Sequence, residues 1–372
     1  MKQEHICHVI SGYFRDNPRI FNRQCLSLKK SNYQVSILTN DNLEDEVIEG
    51  ISIISAKKKF KSRLLVILFS IIQFYEDALK IDSDYYQLHS PELLPLGILL
   101  KFKGKKIIYD AHEDMENHIL EKKSIPTNFL RLVISKIYTL FQNITLRYFD
   151  GVITPHNHVF KKFKKEKIRV ELVPNFPNFV SEDIEEEDYL ARNDAICYSG
   201  TVYLHSNQKI ILDSIEKIDG LNYLIAGTIP KQCESIISAH PARGKVIFKG
   251  MLPPSDVDAF HKSALAGITI LDYTKNLGGK EGTLALNKIF EYMASGLPVI
   301  CTDTHIFQEI IHRHKCGIFV NPNSVTEVKA AIKTILGNKS ESYAMGQRGK
   351  KAVIQEYSWK NIEPRYINIF KT

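Results

Sequence analysis

The sequence predicts an α/β protein made of two Rossmann-like domains. Three observations predict it. Short runs rich in Val and Ile alternate with helical patterns along the whole chain. Those runs are apolar almost throughout, as strands of parallel sheets covered on both faces are. The alternation breaks once, at VPNFPNFVSEDIEEEDYLARND, and restarts at AICYSG. A length of 372 residues fits two domains, at a prior of roughly 150 residues each.

Strands are expected in the first half at Ile6–Ile10, Gln34–Leu38, Ile51–Ser55, Tyr85–His89, Lys106–Asp110, Gly151–Thr154 and Val170–Val173. In the second half they are expected at Ile196–Gly200, Leu221–Ala226, Val246–Lys249, Gly267–Leu271, Pro298–Cys301 and Gly317–Val320. The first domain is read as 1–175 and the second as 195–350. Pro174, Pro177 and the acidic run Glu182–Asp188 break periodicity and mark 176–194 as a linker. Residues 351–372 read as a last helix packing back on the first domain. In open α/β sheets ligands gather at the carboxyl ends of strands, at a topological switch point. Two such sheets facing each other predict a cleft that holds the chemistry.

Composition narrows the class. Apolar residues make up 44% and charged residues 24%, which excludes a disordered or collagenous chain. Six Cys, none in a C-x-x-C pair, are too sparse for a disulfide scaffold and read as small buried hydrophobes. The longest apolar run, Leu64–Phe74, has 11 residues, against about 20 for a spanning helix. The opening MKQEHICHVISGYF is interrupted by His and Glu and does not read as a signal peptide.

Charge is unevenly shared. Residues 1–175 carry 27 Lys+Arg against 20 Asp+Glu, net +7, which leaves 22 against 22 for the remainder. The clusters are 57–63, Lys101/Lys103/Lys105/Lys106, and KKFKKEKIR at 161–169. With a basic segment leading into the apolar run, they point to a membrane surface, although for any one cluster a solvated surface is the plain alternative. Few aromatics interleave with them, so nucleic acid is not expected as a partner.

The segment GGKEGTLALNKIFEYMASG, Gly278–Gly296, is a Gly-rich loop running into an amphipathic helix. The amino end of such a helix suits a phosphate. Glu291 lies inside it among apolar neighbours, where a carboxylate can accept two hydroxyls such as a ribose offers; an ordinary surface Glu is the plain alternative. Asp82-Ser-Asp84 is a short D-x-D match in the wrong fold pattern. His156/His158 and His312/His314 lack further ligands at zinc spacing, so no metal is expected. The NAD fingerprint, the P-loop and G-x-S-x-G are absent.

NKIFEYMASGLPVICTD resembles the donor-site segment of family 4 glycosyltransferases, retaining enzymes of the GT-B fold, and is most similar to their bacterial polysaccharide and O-antigen branch. The resemblance covers nearly the whole chain. It gives Glu291 the place of the second Glu of a Glu-x7-Glu motif that binds the nucleotide ribose. The first Glu falls on Thr283, a departure, so Glu281 or backbone N–H groups from Gly282 through Thr283 to Leu284 would hold the donor sugar. HVISGYFRDNPRIFNRQCLSL resembles the family's first strand, loop and helix, with Asp16, Arg19 and Phe21 recurring. Gly12 would let that loop approach a diphosphate, and Arg19 is read as structural. YDAHED puts His112 at the active-site His, with Glu113 beside it as a catalytic candidate; His89, also at a strand end, is the acceptor-binding candidate. CYSGTVYLHSNQK resembles the donor-diphosphate loop, where Gln208 stands for an Arg and Gly200 and Lys209 are candidates. Gly250, after VIFKG, would meet the nucleobase. Lys288 or Lys209 would support the departing diphosphate.

The resemblance therefore implies transfer of a sugar from a nucleotide-sugar donor, UDP- or GDP-linked, to a lipid-linked saccharide, with no metal or cofactor beyond that substrate. A nucleotide-sugar epimerase of the same fold and a catalytically weak partner subunit are the alternatives.

Overall fold

The computed structural model describes residues 3–56 and 63–371, and the side chains of all of these except 63–70. Lys57, Lys58, Lys59 and Lys61 of the first basic cluster lie outside the described residues. The chain forms two compact units. Unit 1 comprises Met1–Asn175 with Ile362–Thr372, and unit 2 comprises Phe176–Asn361.

Unit 1 runs β1 (His5–Val9), a π-helical segment (Arg19–Cys25) that continues as α1 (Leu26–Lys30), β2 (Gln34–Thr39), β3 (Glu46–Ile48), β4 (Ile51–Ser55), α2 (Arg63–Ile81), β5 (Tyr85–Leu88) and α3 (Leu94–Phe102). It continues with β6 (Lys106–Asp110), α4 (Met115–Glu121), α5 (Asn128–Leu146), β7 (Gly151–Thr154), α6 (Asn157–Lys165) and β8 (Val170–Leu172). Its sheet has the order β3-β4-β2-β1-β5-β6-β7-β8. All pairings are parallel except β3 with β4. One core holds Phe74 and Ala78 of α2, Leu94, Leu96 and Leu100 of α3, Leu146 of α5 and Phe163 of α6, so these four helices share one face.

Unit 2 runs α7 (Glu186–Leu190), β9 (Ala195–Ser199), α8 (Gln208–Ile215), β10 (Asn222–Ala226), α9 (Lys231–Ser238), β11 (Val246–Phe248), α10 (Val257–Lys262), β12 (Ala266–Thr269) and α11 (Asn287–Ala294). Then come β13 (Val299–Thr302), α12 (His305–His314), β14 (Gly317–Val320), α13 (Val325–Gly337), α14 (Lys339–Gln355) and α15 (Trp359–Asn368), whose end belongs to unit 1. Its sheet is fully parallel, β11-β10-β9-β12-β13-β14.

The thirteen expected strands all form, with ends shifted by a residue or two. The unforeseen β3 is a three-residue edge strand with an exposed face, too short and too polar to show periodicity. The stretch 176–194 is not a free linker. It belongs to unit 2, where Ser181 N–H donates to the Ala294 carbonyl at 3.0 Å and Tyr189 is fully buried. Residues 351–361 likewise stay with unit 2. The Trp359 N–H donates to the Pro177 carbonyl at 2.7 Å, and the chain enters unit 1 only from Ile362. There Tyr366, Ile369 and Phe370 are buried, and the Tyr366 hydroxyl donates to Gln87 Oε1 at 2.8 Å.

One glycine sets the position of α11. A Cβ on Gly267 of β12 would lie 2.2 Å from the Tyr292 ring of α11. The missing side chain lets the helix settle directly on the strand, and the Tyr292 hydroxyl then accepts from the Ser199 N–H at the end of β9, at 3.0 Å. Gly267→Ala is expected to destabilise unit 2 by about 1–3 kcal/mol through overpacking. Urea denaturation checks this, and an unchanged midpoint would show that α11 has room to move.

Candidate functional site

Each sheet has one switch point, between β1 and β5 in unit 1 and between β9 and β12 in unit 2. The sequence-predicted residues collect at these two places, and each is described within its own unit.

In unit 1 the organising group is Asp110, the last residue of β6, which is fully buried. Arg19 grips its carboxylate with both Nε (2.9 Å) and Nη2 (2.8 Å), and Gln24 Nε2 donates at 2.7 Å. The wide turn of the π-helical segment turns Arg19 and Gln24 inward together. Arg19 is structural, as expected, but its partner is Asp110. His112 Nε2 and His89 Nδ1 approach Asp110 Oδ2 at 3.2 and 3.5 Å. These two ring nitrogens also lie 3.2 Å from each other, and whichever of them bonds the carboxylate, which only accepts, carries a proton. His89 Nε2 shares a hydrogen bond with His8 Nδ1 at 2.9 Å. Despite its burial, Asp110 is held well below the usual carboxylate range by Arg19 and His112.

His112 ends this chain. Its ring stacks on Tyr13 with centroids 4.9 Å apart and stays partly exposed. With Nε2 committed to this cluster, Nδ1 is the nitrogen left for a ligand. His112 borders an open pocket with Gly12, Tyr13, Ser90, Glu92 and Glu113. The backbone is fixed as well: His156 Nε2–H donates to the His112 carbonyl at 2.9 Å, and Thr154 Oγ1 donates to the Ala111 carbonyl at 3.0 Å. That is the use of one His in the H-x-H pair. Gly12, at φ +78°, has open space where a Cβ would point.

Two expectations change here. The His89 side chain has no exposed surface, so it orients Asp110 and cannot itself meet an acceptor. Glu113 turns away from His112 to pair with His118 Nδ1 at 2.9 Å on the pocket rim. His89, Asp110 and His112 each present a ligand atom, all within 4.8 Å of one another, which a metal ion would need. Arg19 already neutralises that carboxylate through two hydrogen bonds, which opposes a second cation. Tyr13 and His8 went unread because nothing in the sequence ties them to a carboxylate about a hundred residues away.

In unit 2 three glycines with positive φ end adjacent strands: Gly200 (+105°), Gly227 (+127°) and Gly250 (+70°). A Cβ on Gly227 would lie 2.3 Å from the Gly200 carbonyl oxygen, so the two loops touch backbone to backbone. Gly227 N–H donates to the Gly250 carbonyl at 2.7 Å. Gly227 was missed, although the run from Ile225 to Gly227 carries the same strand-then-glycine signature as Gly200.

Lys288 sits in the first turn of α11. Its Nζ lies 5.3 Å from the Tyr198 ring centroid, and a Cβ on Gly200 would lie 3.0 Å from that Nζ. Among the described residues it makes no ion pair within 4 Å; it is half-buried, desolvation pushes its pKa below the ordinary lysine value, and the charge of Glu291 acts against that shift. Glu291, one turn further on, is half-buried and makes no hydrogen bond or ion pair among the described residues. Ser199 is held from behind: His261, fully buried, bridges Ser199 Oγ and Ser295 Oγ, each at 3.0 Å.

Other expectations in unit 2 are corrected. Lys209 is exposed on α8 and pairs with Asp213 at 2.7 Å, away from the Gly200 loop. The neighbouring Gln208 is buried and accepts from the Tyr223 hydroxyl at 2.9 Å, a structural role. Gly282, Thr283 and Leu284 do not form the helix start, because α11 begins at Asn287. Thr283 is fully buried, and its Oγ1 accepts from the Ala285 N–H at 3.2 Å. Gly282 is pressed against Thr304, whose Oγ1 would lie 2.4 Å from a Cβ there. Glu281 faces His305 at 3.5 Å.

Comparison with known proteins follows this geometry. Residues 181–352 match the family described as "Glycosyl transferases group 1". An uncharacterised glycosyltransferase of Methanocaldococcus jannaschii is 28% identical over 129 residues, 35% of this chain and 31% of that protein. The GDP-mannose-dependent alpha-(1-6)-phosphatidylinositol monomannoside mannosyltransferase of Mycobacterium tuberculosis is 25% identical over 186 residues, 48% of each chain. These alignments span half or less of the curated relatives' length. Among solved structures, S. aureus TarM in complex with fondaparinux, alpha-GlcNAc-glycerol and UDP superposes with a TM-score of 0.76 at 10% identity, covering 100% of both chains. The fold is therefore that of GT-B glycosyltransferases, and the group 1 glycosyl transferase match lies within unit 2.

Four buried histidines predict a pH dependence. Burial lowers His89, His156 and His261 to about 4, and His8 well below its ordinary value. In the unfolded chain each titrates near 6.5, so between about 4 and 6.5 the unfolded state binds more protons. Stability is fully present above about 6.5 and is lost as pH falls, by up to about 1.4 kcal/mol per pH unit for each histidine. Melting temperature measured from pH 7 down to pH 4.5 should drop steadily, and a flat profile would contradict the neutral assignment.

Proposed function

We propose that the chain is a retaining glycosyltransferase that moves a sugar from a UDP- or GDP-linked donor to a hydroxyl of a lipid-linked saccharide, in bacterial surface polysaccharide assembly of the O-antigen or capsule kind. One observation carries the reading: the Lys288 ammonium, half-buried and in no ion pair or hydrogen bond among the described residues, beside Gly200 at the switch point of unit 2. A donor diphosphate is the partner that the Gly200 loop and the amino end of α11 suit. The group 1 match over this unit supports the same reading.

In the proposed reaction Lys288 and backbone N–H groups take the diphosphate, and Glu291 accepts from the two ribose hydroxyls. No metal or other cofactor is required, because Lys288 meets the charge that develops on the leaving phosphate. The acceptor hydroxyl attacks the anomeric carbon from the face the diphosphate leaves. A new C–O bond forms as the sugar–phosphate C–O bond breaks, and the hydroxyl proton passes to the departing phosphate oxygen. His112, fixed by Asp110 and Tyr13, offers Nδ1 to a sugar hydroxyl at the switch point of unit 1. The proposed setting is the cytoplasmic face of the membrane.

A thermal-shift panel of UDP, GDP, CMP, ADP and NAD tests the reading. Ligand at 100 times its dissociation constant stabilises by about 2.7 kcal/mol. A shift with UDP or GDP is expected, and no shift with either would overturn the proposal. Glu291→Ala should abolish that shift. Lys288→Met should abolish it too, by removing the cation that meets the diphosphate. His112→Ala should keep the nucleotide shift and lower turnover about 100-fold or more; equal loss of both would assign His112 to folding instead.

A further inference from the structure

Helix α5 is built inside out. Its buried side chains are Ser135, Gln142, Thr145 and Leu146, mostly polar. Its exposed ones are apolar except Asn128 and Lys136. Phe129, Val133, Ile137, Leu140 and Ile144 follow at spacings of four, four, three and four residues, and their exposure runs from 36% at Val133 to 75% at Phe129. At 100° per residue they form a stripe about 80° wide and about 22 Å long. Leu130, Leu132, Ile134 and Phe141 widen it, and Tyr148 extends it past the helix end. A surface helix of a globular domain normally shows the opposite pattern, and a contiguous apolar patch of this kind marks an interaction site.

Charge identifies the partner. Residues 121–169, from the end of α4 through α6, hold 11 Lys+Arg against 3 Asp+Glu. The net +8 of this stretch exceeds the +7 of the whole chain. The stripe itself contains no charged residue. Lys122 and Lys123 precede it, Lys136 and Arg147 flank it in surface ion pairs with Glu116 and Glu166, and α6 in the same helical layer adds four lysines, of which Lys162 pairs with Glu116. A second copy of this chain would bring an equal positive charge against the first and be repelled. An apolar face bordered by cations instead fits the interface of an anionic bilayer, with the helix lying in the membrane plane. No helix among the described residues is long and apolar enough to cross a membrane.

We infer that α5 is the element by which this protein docks on an anionic lipid surface, its apolar stripe entering the headgroup region and the surrounding lysines and arginines meeting the lipid phosphates. This deepens the proposed reading by naming the part of unit 1 that would meet the membrane carrying a lipid-linked acceptor. The sequence points to a membrane surface through the three basic clusters, 161–169 among them, and the apolar run in α2, and does not single out α5.

Flotation of the full chain with vesicles is the test, independent of any transferase assay. Vesicles containing phosphatidylglycerol should carry the protein with at least about tenfold higher affinity than vesicles of phosphatidylcholine alone, and high salt should weaken that binding. Ile137→Glu combined with Leu140→Glu should reduce binding by about tenfold or more, with an unchanged melting temperature because both positions are exposed. A Phe129→Trp variant gives a second readout: its emission should shift to the blue on anionic vesicles, against the background of the buried Trp359. Binding that survives the double substitution, or no flotation with anionic vesicles, overturns the inference. So does self-association that the same substitutions abolish, since it would assign the stripe to a second copy. Docking without transferase activity would instead refute the proposed reaction and leave this inference standing.

Discussion

The Asp110 carboxylate organises unit 1. It is fully buried, so every charge and proton around it must be arranged to keep it ionised. Arg19 supplies the countercharge and also donates to the Val173 carbonyl at 2.9 Å, tying the segment after β1 to the end of β8. Gln24 and the two histidines use the remaining oxygen capacity. Four chain segments thereby converge on one group, and His112, the only member of the network partly open to solvent, inherits its orientation from the rest. Removing either Asp110 or Arg19 would leave the other as an unpaired buried charge, which is far more damaging than losing a surface ion pair.

Unit 2 shows the converse arrangement. Its half-buried cation, Lys288, makes no ion pair among the described residues, and the charge of Glu291 offsets it only through space. The surroundings are built to bring it close to the Gly200 loop without satisfying it. Gly267 lets α11 lie on β12, Tyr292 ties α11 to β9, and His261 pins Ser199 from below. Stability withheld from the free protein is available to a bound anion. That asymmetry between a closed charge network and an open one is the physical reason to assign anion binding to unit 2.

The fold was legible because parallel strands buried on both faces must be apolar throughout, and Val/Ile runs such as Lys106–Asp110 and Gly151–Thr154 appear at their true positions. Glycines at strand ends and the helix bearing Lys288 and Glu291 were legible for a similar reason: the local sequence contains the whole signal. Contacts between distant residues were not. His89 looks like a strand-end ligand, and only the fold shows Asp110 and His8 closing over it. Lys209 lies in the expected segment, but one position on a helix decides whether a side chain faces the loop or the solvent, and Gln208 occupies the inward one. The apolar face of α5 was invisible because a sequence shows helical periodicity without showing which face is buried.

The departure at Thr283 bears on how a donor sugar can be held. A glutamate at that point would need room and a path to the ligand, and Thr283 has neither. It is fully enclosed, and its hydroxyl already accepts a hydrogen bond within its own turn. The loop before it is tied down by the His305 and Ile306 N–H groups donating to the Lys280 and Glu281 carbonyls; Gly282 offers no side chain, and the Glu281 carboxylate faces His305. Contacts to donor hydroxyls on this side would therefore have to come from backbone groups of a rigid loop, which recognise the position of an oxygen but carry no charge. A site of this kind selects its sugar by shape more than by ionic hydrogen bonds, and its discrimination between sugars differing at one hydroxyl should rest on steric fit.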